Sequence, residues 1–221
     1  MSLKIALTKG RVEKKVIPLL EHAGINCVPL KNKKRKLIIQ CNNGEFEFIL
    51  AKGPDVTTYL NAGVADIGIV GSDILEEQQN EQYELLDLET GKCQFVLAST
   101  ADFDVDSPER KIIGTKYPLI TKRYFESLGQ DVEIIKIEGS VELAPLIGLA
   151  DAIVDITETG TTLKENNLKI FDYLNKISTH LVVNRMSLKQ HSREIFNLTD
   201  QLEKAVLEEK SKGELSTDEN L

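Results

Sequence analysis

Four times along this chain a short apolar run ends in a small or polar turn that opens a helical pattern. Leu3-Lys4-Ile5-Ala6-Leu7 passes through Thr8-Lys9-Gly10-Arg11 into a helix over 12–23, where Val16, Ile17, Leu19 and Leu20 carry the apolar period and Gly24 stops it. The run 65–71 (ADIGIVG) leads into a helix over 72–79, and 111–115 (KIIGT) into one over 118–128 ended by Gly129. The run 152–156 (AIVDI) leads into a helix starting over 161–167. Strands alternating with helices predict an α/β fold with mainly parallel pairing.

The remaining elements fit that frame. Residues 36–41 and 45–51 read as strands joined at Asn42-Asn43-Gly44, a hairpin signal. A short helix is predicted from Pro54 to Ala62, and strands over 93–99, 132–137, 168–174 and 179–184. Val141 to Leu149 reads as a helix, and a last helix runs from about Lys189 to Glu209, before a polar, charged tail with little to bury. The pattern starts twice, near residues 1 and 93. The expectation is therefore two α/β lobes with a cleft between them, a natural place for a ligand.

A net charge of -8 speaks against nonspecific nucleic-acid binding, which needs a basic surface to release counterions. No apolar run approaches a membrane span, and MSLKIALTKGR does not read as a signal peptide, so a cytoplasmic location is expected. Cys27, Cys41 and Cys93 lack CxxC spacing and read as reduced thiols, and His22, His180 and His191 have no ligand spacing.

The stretch DITETGTT, residues 155–162, crowds four threonines and a glycine between a strand end and a helix start. Two readings stand. Thr159 or Thr161 caps the helix. Alternatively, Thr157, Thr159, Gly160, Thr161 and Thr162 form a phosphate cradle at a helix N-terminus, with Asp155 placed to accept hydrogen bonds from ribose hydroxyls. The loop lacks the spacing and lysine of a Walker A motif. Lys9 and Arg11 in the first strand-to-helix turn are either solvated or a phosphate contact. Gly68 and Gly71 mark possible close backbone approach, and Ser72 or Asp73 is a helix cap or a ligand contact. The basic run Lys31-Asn32-Lys33-Lys34-Arg35-Lys36 is a solvated loop or an electrostatic collar for a polyphosphate. Lys116-Tyr117-Pro118 with Arg123 is open to pyrophosphate contact or ordinary capping. Glu142 either favours a helix dipole or reaches toward a ligand.

Taken together, these pieces resemble the ATP phosphoribosyltransferase family in its short form, over nearly the whole chain to about residue 205. The most specific match is Glu142-x5-Gly148-x-Ala150-x2-Ile153-x-Asp155-Ile156-x2-Thr159-Gly160-x-Thr162-Leu163. Lys9-Gly10-Arg11, the block from Gly63 to Leu75, Gly91-Lys92-Cys93 and the stretch from Thr115 to Phe125 support it. The resemblance implies two lobes like those of periplasmic binding proteins: residues 1–90 plus 180–205, and 91–179, with 206–221 a flexible tail. It implies condensation of ATP with phosphoribosyl pyrophosphate, with Mg²⁺, to N1-(5-phosphoribosyl)-ATP and pyrophosphate, the first step of histidine biosynthesis.

By the same resemblance, Thr157 to Thr162 hold the donor's 5'-phosphate, Asp155 its ribose hydroxyls, and Glu142 lies near that ribose. Lys9 and Arg11 face the leaving pyrophosphate and the ATP phosphates, and Asp73 helps hold the nucleotide. The short form further implies a homodimer of the catalytic chain and a separate regulatory subunit similar to histidyl-tRNA synthetase, in a hetero-octamer. Two departures stand out. Lys52-Gly53-Pro54-Asp55 replaces a frequent Arg-Pro pair, and Glu158, expected to face solvent, sits where a small polar residue is common. The competing readings are another phosphoribosyl-transferring or nucleotide-using enzyme, and a non-enzymatic two-lobed binder.

Overall fold

The computed structural model describes residues 2–79 and 82–218. The chain divides into two compact units: Met1–Leu75 with Gln79–Gly91 and Ser178–Leu221, and Lys92–Ile177 with Glu76–Gln78.

The first unit opens with β1 (Leu3–Thr8), α1 (Arg11–His22), the single turn α2 (Val28–Lys31) and β2 (Ile38–Cys41). Asn42, Asn43 and Gly44 all take positive φ, which only such residues adopt cheaply, and they turn the chain into β3 (Phe46–Ala51) as the Asn-Asn-Gly signal predicts. Next come α3 (Gly53–Asn61), β4 (Ile67–Gly71), α4 (Ser72–Gln78), whose last three residues, Glu76–Gln78, belong to the second unit, and β5 (Tyr83–Asp87). The second unit holds β6 (Cys93–Ser99), β7 (Lys111–Thr115), α5 (Pro118–Ser127), β8 (Val132–Lys136), α6 (Leu143–Leu146), β9 (Ala152–Thr157), α7 (Thr161–Glu165) and β10 (Lys169–Ile177). The chain then returns to the first unit as β11 (Thr179–Val183), α8 (Arg185–Gln190) and α9 (Ser192–Asp218).

Each unit is built on one sheet, ordered β2-β3-β1-β4-β11-β5 in the first and β10-β6-β9-β7-β8 in the second. The pairing is mixed where mainly parallel pairing was expected. β3-β1-β4 and β8-β7-β9 are parallel, whereas the pairs made by β2, β5, β6, β10 and β11 are antiparallel. In the first unit Ile5, Leu7, Phe48, Ile69 and Leu181 meet Leu20, Leu198 and Leu202 of α1 and α9 in one buried cluster. In the second, Val96, Ala98 and Ile153 meet Val141, Ala144 and Leu163.

Three further differences have physical causes. β5 escapes a periodicity search because it lies at a sheet edge and none of its residues is buried. α6 is one turn instead of the nine residues expected, for Gly148 takes φ +70 and Leu143, Leu146, Ile147 and Leu149 are exposed, so their apolar character reports no core-facing helix stripe. Beyond residue 205, where a flexible tail was expected, α9 continues to Asp218, and Val206 is buried in line with Ile195, Leu198 and Leu202. Residues 219–221 of that tail lie outside the described residues.

Gly68 lets α3 lie directly on β4. A Cβ there would meet Leu60 Cδ1 at 2.6 Å, Val56 Cγ1 at 2.9 Å and Val182 Cγ2 at 3.1 Å. Gly68→Ala is therefore expected to cost about 1–3 kcal/mol by overpacking. A denaturation midpoint equal to that of the parent chain would contradict this packing.

Candidate active site

In the first unit β3, β1 and β4 run parallel and side by side, Thr8 opposite Ala51 and Leu7 opposite Ile69. Their carboxyl ends therefore emerge along one sheet edge, and each leads straight into a helix, with Lys52 before α3, Gly10 before α1 and Gly71 before α4. Such an edge gathers helix N-termini, whose amides lack helical partners and whose dipoles favour anions. Lys9 and Arg11 are exposed here and Asp73 is half-buried, its carboxylate lying over the Cα of Gly71.

The turn that carries Lys9 and Arg11 is held on both sides. The Lys9 amide donates to the Ala51 carbonyl at 2.8 Å, and the Thr8 hydroxyl to the Ile69 carbonyl at 2.9 Å. The Gly10 amide donates to the carboxylate of Glu13 at 3.3 Å. Glu13 is missed by a search for exposed charge, being only 5% exposed. The sequence did carry a signal for it, since a glutamate three residues after a helix cap is half of a capping box.

The second unit repeats the arrangement with β8, β7 and β9, Thr115 standing opposite both Lys136 and Val154. Here the chain continues into Lys116-Tyr117 before α5, Glu142 before α6, and residues 158–160 before α7. The Thr115 hydroxyl donates to the Val154 carbonyl at 2.7 Å and accepts from the Tyr117 amide at 2.9 Å. The Leu119 and Ile120 amides donate to the Glu77 carboxylate at 3.0–3.1 Å, so the start of α5 is capped by a side chain of the same unit. That favours ordinary capping over an anion site there.

Asp155 lies on β9, one strand from Lys116, and its electrostatic neighbours are Glu142 and Lys116. Burial pushes its carboxyl up to about 6; the Ile156 amide opposes this, the Glu142 carboxylate adds to it and Lys116 again opposes. Beyond it, Thr157 Oγ1 accepts from the Gly160 amide at 2.8 Å, and the Thr159 and Thr161 hydroxyls are 2.8 Å apart. Gly160 occupies the cap position with φ +74, no side chain caps α7, and the Thr161 amide reaches Thr159 Oγ1 only at 3.5 Å. The hydroxyls thus shape the loop more than they cap the helix. Thr159, Thr161 and Thr162 stay exposed, and the space beside the Gly160 Cα is open. The loop also lines a cavity of about 400 Å³ with Lys92, Gln94, Tyr173 and Lys176; Glu158 is exposed but borders it too.

The structure thus groups Lys9, Arg11 and Asp73 at one strand-end edge of the first unit, and Glu142, Asp155 and Thr157–Thr162 at the corresponding edge of the second. Cys93 also lines the cavity beside the threonine loop, between Lys92 and Gln94; the histidines belong to neither group. Cys27, Cys41 and Cys93 are buried, and burial pushes the Cys27 thiol up to about 12. Among the described residues no group of three or more His, Cys, Asp or Glu stands together to hold a metal ion, and no helix is long and apolar enough to cross a membrane.

The family model described as ATP phosphoribosyltransferase matches residues 52–204. An ATP phosphoribosyltransferase of Lactiplantibacillus plantarum is 72% identical over 200 residues, covering 90% of this chain and 92% of that protein. One from Listeria monocytogenes is 59% identical over 209 residues, covering 95% and 98%. Among solved structures, the ATP phosphoribosyl transferase (HisG:HisZ) complex from Thermotoga maritima contains a chain 38% identical, with TM-score 0.79 over 93% of this chain and 99% of that one. The periplasmic aliphatic sulphonate binding protein SsuA of Escherichia coli shares the fold alone, at 15% identity and TM-score 0.59, covering 97% of this chain and 76% of that one. Matched by its relatives along nearly their whole lengths, the chain belongs to the ATP phosphoribosyltransferase family, the enzymes of the first step of histidine biosynthesis.

Proposed function

We propose a division of labour between the two strand-end clusters in the family reaction, the condensation of ATP with phosphoribosyl pyrophosphate. The loop Thr157 to Thr162 holds the donor's 5'-phosphate through its amides and hydroxyls. Asp155 accepts from the ribose hydroxyls, with Glu142 beside the same ribose. Lys9 and Arg11 neutralise the departing pyrophosphate and the ATP phosphates, and Asp73 helps hold the nucleotide. The lone pair of adenine N1 attacks the anomeric carbon. The electrons of the broken C–O bond leave with pyrophosphate from the opposite face. A carbon gaining positive charge and a polyanionic leaving group need orientation and charge neutralisation more than a protein nucleophile. Mg²⁺ travels with the substrate phosphates, as a hard cation that keeps several waters.

The observation that carries this reading is that Lys9, Arg11, Asp73, Asp155 and the Thr157–Thr162 loop lie at or just beyond the carboxyl ends of parallel strands, where open α/β sheets bind ligands, with Glu142 on the connection that follows β8. The domain roles follow. The 1–90 plus 180–205 segment supplies the cations and Asp73, and 91–179 supplies the donor loop. The Thermotoga maritima HisG:HisZ complex supports a HisZ-like regulatory partner; we assign that partner a likeness to histidyl-tRNA synthetase, and this chain a homodimer within a hetero-octamer and a cytoplasmic location.

Mixing the purified chain with ATP, phosphoribosyl pyrophosphate, Mg²⁺ and a pyrophosphatase, with and without a HisZ-like partner, should raise the ultraviolet absorbance of phosphoribosyl-ATP only when both substrates are present. Donor binding without such a rise, even with the partner, would point to a different phosphoribosyl transfer. Gly160→Val forces a β-branched residue to φ +74 and crowds the open space a phosphate would need. It should abolish donor binding and leave most of the fold intact. Normal donor affinity in the folded variant would remove the loop from the site.

Asp155 gives a signed pH prediction. Its folded value of about 6 exceeds the ordinary 3.8, so the folded state holds the proton more tightly than the unfolded chain. That contribution to stability is complete below about 3.8 and is lost as pH rises through 6, at most about 3 kcal/mol in all. Asp155→Asn should therefore be at least as stable as the parent at pH 8, lose that advantage toward pH 4, and bind the donor about tenfold or more weakly. Parent-chain donor affinity should fall below about pH 6 as the carboxylate protonates. Denaturation at the two pH values with donor titration would check both, and a variant less stable at pH 8 would contradict the buried-charge account.

A further inference from the structure

The basic run 31–36 divides into two kinds of cation. Lys31 pairs with Glu21 at 2.6 Å, both groups being largely in solvent. Lys33 pairs with Glu13, whose side chain is only 7% exposed. Both glutamates belong to α1, so two ion pairs lay the basic loop along that helix, while Lys34, Arg35 and Lys36 remain exposed. An exposed pair such as Lys31–Glu21 contributes little. The Lys33–Glu13 pair differs because both oxygens of the buried carboxylate are engaged. Oε1 takes the Lys33 ammonium, and Oε2 takes the Gly10 amide.

We infer that Glu13 and Lys33 are positioning residues for the turn that carries Lys9 and Arg11, with Glu13 fixing the Gly10 backbone and Lys33 neutralising Glu13. Gly10 sits at φ +89 and ψ -119, a conformation no side-chain-bearing residue holds readily. Behind it, the Lys9 amide is anchored on Ala51; the Gly10 carbonyl accepts from the Lys14 amide at 3.1 Å, and Glu13 holds the Gly10 amide. Without Lys33, that carboxylate would stand two and four residues from the cations meant to attract a polyanion, at low local dielectric, and would oppose them. The pair thus lets the turn keep its backbone anchor without a net negative charge beneath it, and it ties the exposed cations of the loop to the same helix.

This inference rests on the reading that Lys9 and Arg11 face substrate phosphates, and the experiment separates the two. Kd for ATP with Mg²⁺ would be measured by calorimetry on the full chain, with KM and kcat from turnover in the presence of the HisZ-like partner where turnover requires it. The variants are Arg11→Ala, Glu13→Ala, Glu13→Gln, Lys33→Met and the double variant Glu13→Gln with Lys33→Met. Glu13→Ala should weaken ATP binding roughly ten- to a hundredfold, in Kd and KM more than in kcat. Glu13→Gln keeps an acceptor for the Gly10 amide and should restore most of that loss. Lys33→Met should raise Kd, and adding Glu13→Gln to it should bring Kd back down, a rescue that a merely structural ion pair would not give. If Glu13→Ala does not fold, the Lys33→Met variant and its rescue carry the test. Normal Kd in every Glu13 and Lys33 variant, beside an impaired Arg11→Ala, would overturn the inference alone. Normal Kd in Arg11→Ala as well would overturn the phosphate-facing role on which it rests.

Discussion

Side-by-side parallel pairing is the constraint on which each site cluster depends. Three parallel strands must end on the same sheet edge, and when each is followed at once by a helix, three helix starts are brought together with no further contacts required. The register fixes this closely: Thr8 is level with Ala51, and Thr115 with both Lys136 and Val154. Hydroxyls then lock neighbouring strand ends, Thr8 onto the Ile69 carbonyl and Thr115 onto the Val154 carbonyl. The two threonines occupy equivalent places in the two units, each at the end of the central strand of a parallel trio. The antiparallel strands outside those trios complete the sheets.

The electrostatics at the two edges differ in kind. In the first unit the exposed cations Lys9 and Arg11 sit over a turn whose buried carboxylate is already matched by Lys33. In the second, a carboxylate is kept partly buried beside another carboxylate, with the Ile156 amide and Lys116 opposing the effect. Asp155 therefore costs stability at neutral pH, a cost that hydrogen bonds from ligand hydroxyls would relieve. A chain of net charge -8 can still attract polyanions because charge sign is local: cations stand in the basic loop and at the strand ends, where the N-termini of the following helices add to them.

Much of this was legible in the sequence because strand-turn-helix units are local. β1 with α1, β4 with α4, β7 with α5 and β9 with α7 are each written in one contiguous stretch, and so are the turns that end in Gly10 and Gly160. What escaped was non-local or weakly patterned. The antiparallel direction of β11 depends on where the chain re-enters a sheet, and β5 has no buried face to generate a period. α6 carries apolar residues that do not face a core, so hydropathy overstated its length. In the site, Asp155 and the threonine loop could be read from spacing, but the capping of α5 by Glu77 joins residues 42 and 43 positions apart. Glu13 was visible only as half of a capping pattern, and its tie to Lys33 spans 20 residues.

The fold is shared with sulphonate-binding proteins at 15–16% identity, so the fold by itself does not decide between a binder and an enzyme. The chemistry explains why the same architecture suffices for both. Transfer of a ribosyl group to a ring nitrogen requires two bound molecules in line and a leaving group whose charge is neutralised, which is what a ligand-binding scaffold already does well. Nothing in it calls for an activated thiol, and the buried, upward-shifted Cys27 would be a poor one. What the proposed function asks of the scaffold is small and local: a carboxylate near the end of β9, a glycine at φ +74 just past that strand with hydroxyls on either side, and, in the first unit, two cations on a glycine turn. The carboxylate and the glycine loop lie within residues 52–204, the stretch that the ATP phosphoribosyltransferase family model matches, so family similarity and the proposed donor site overlap there.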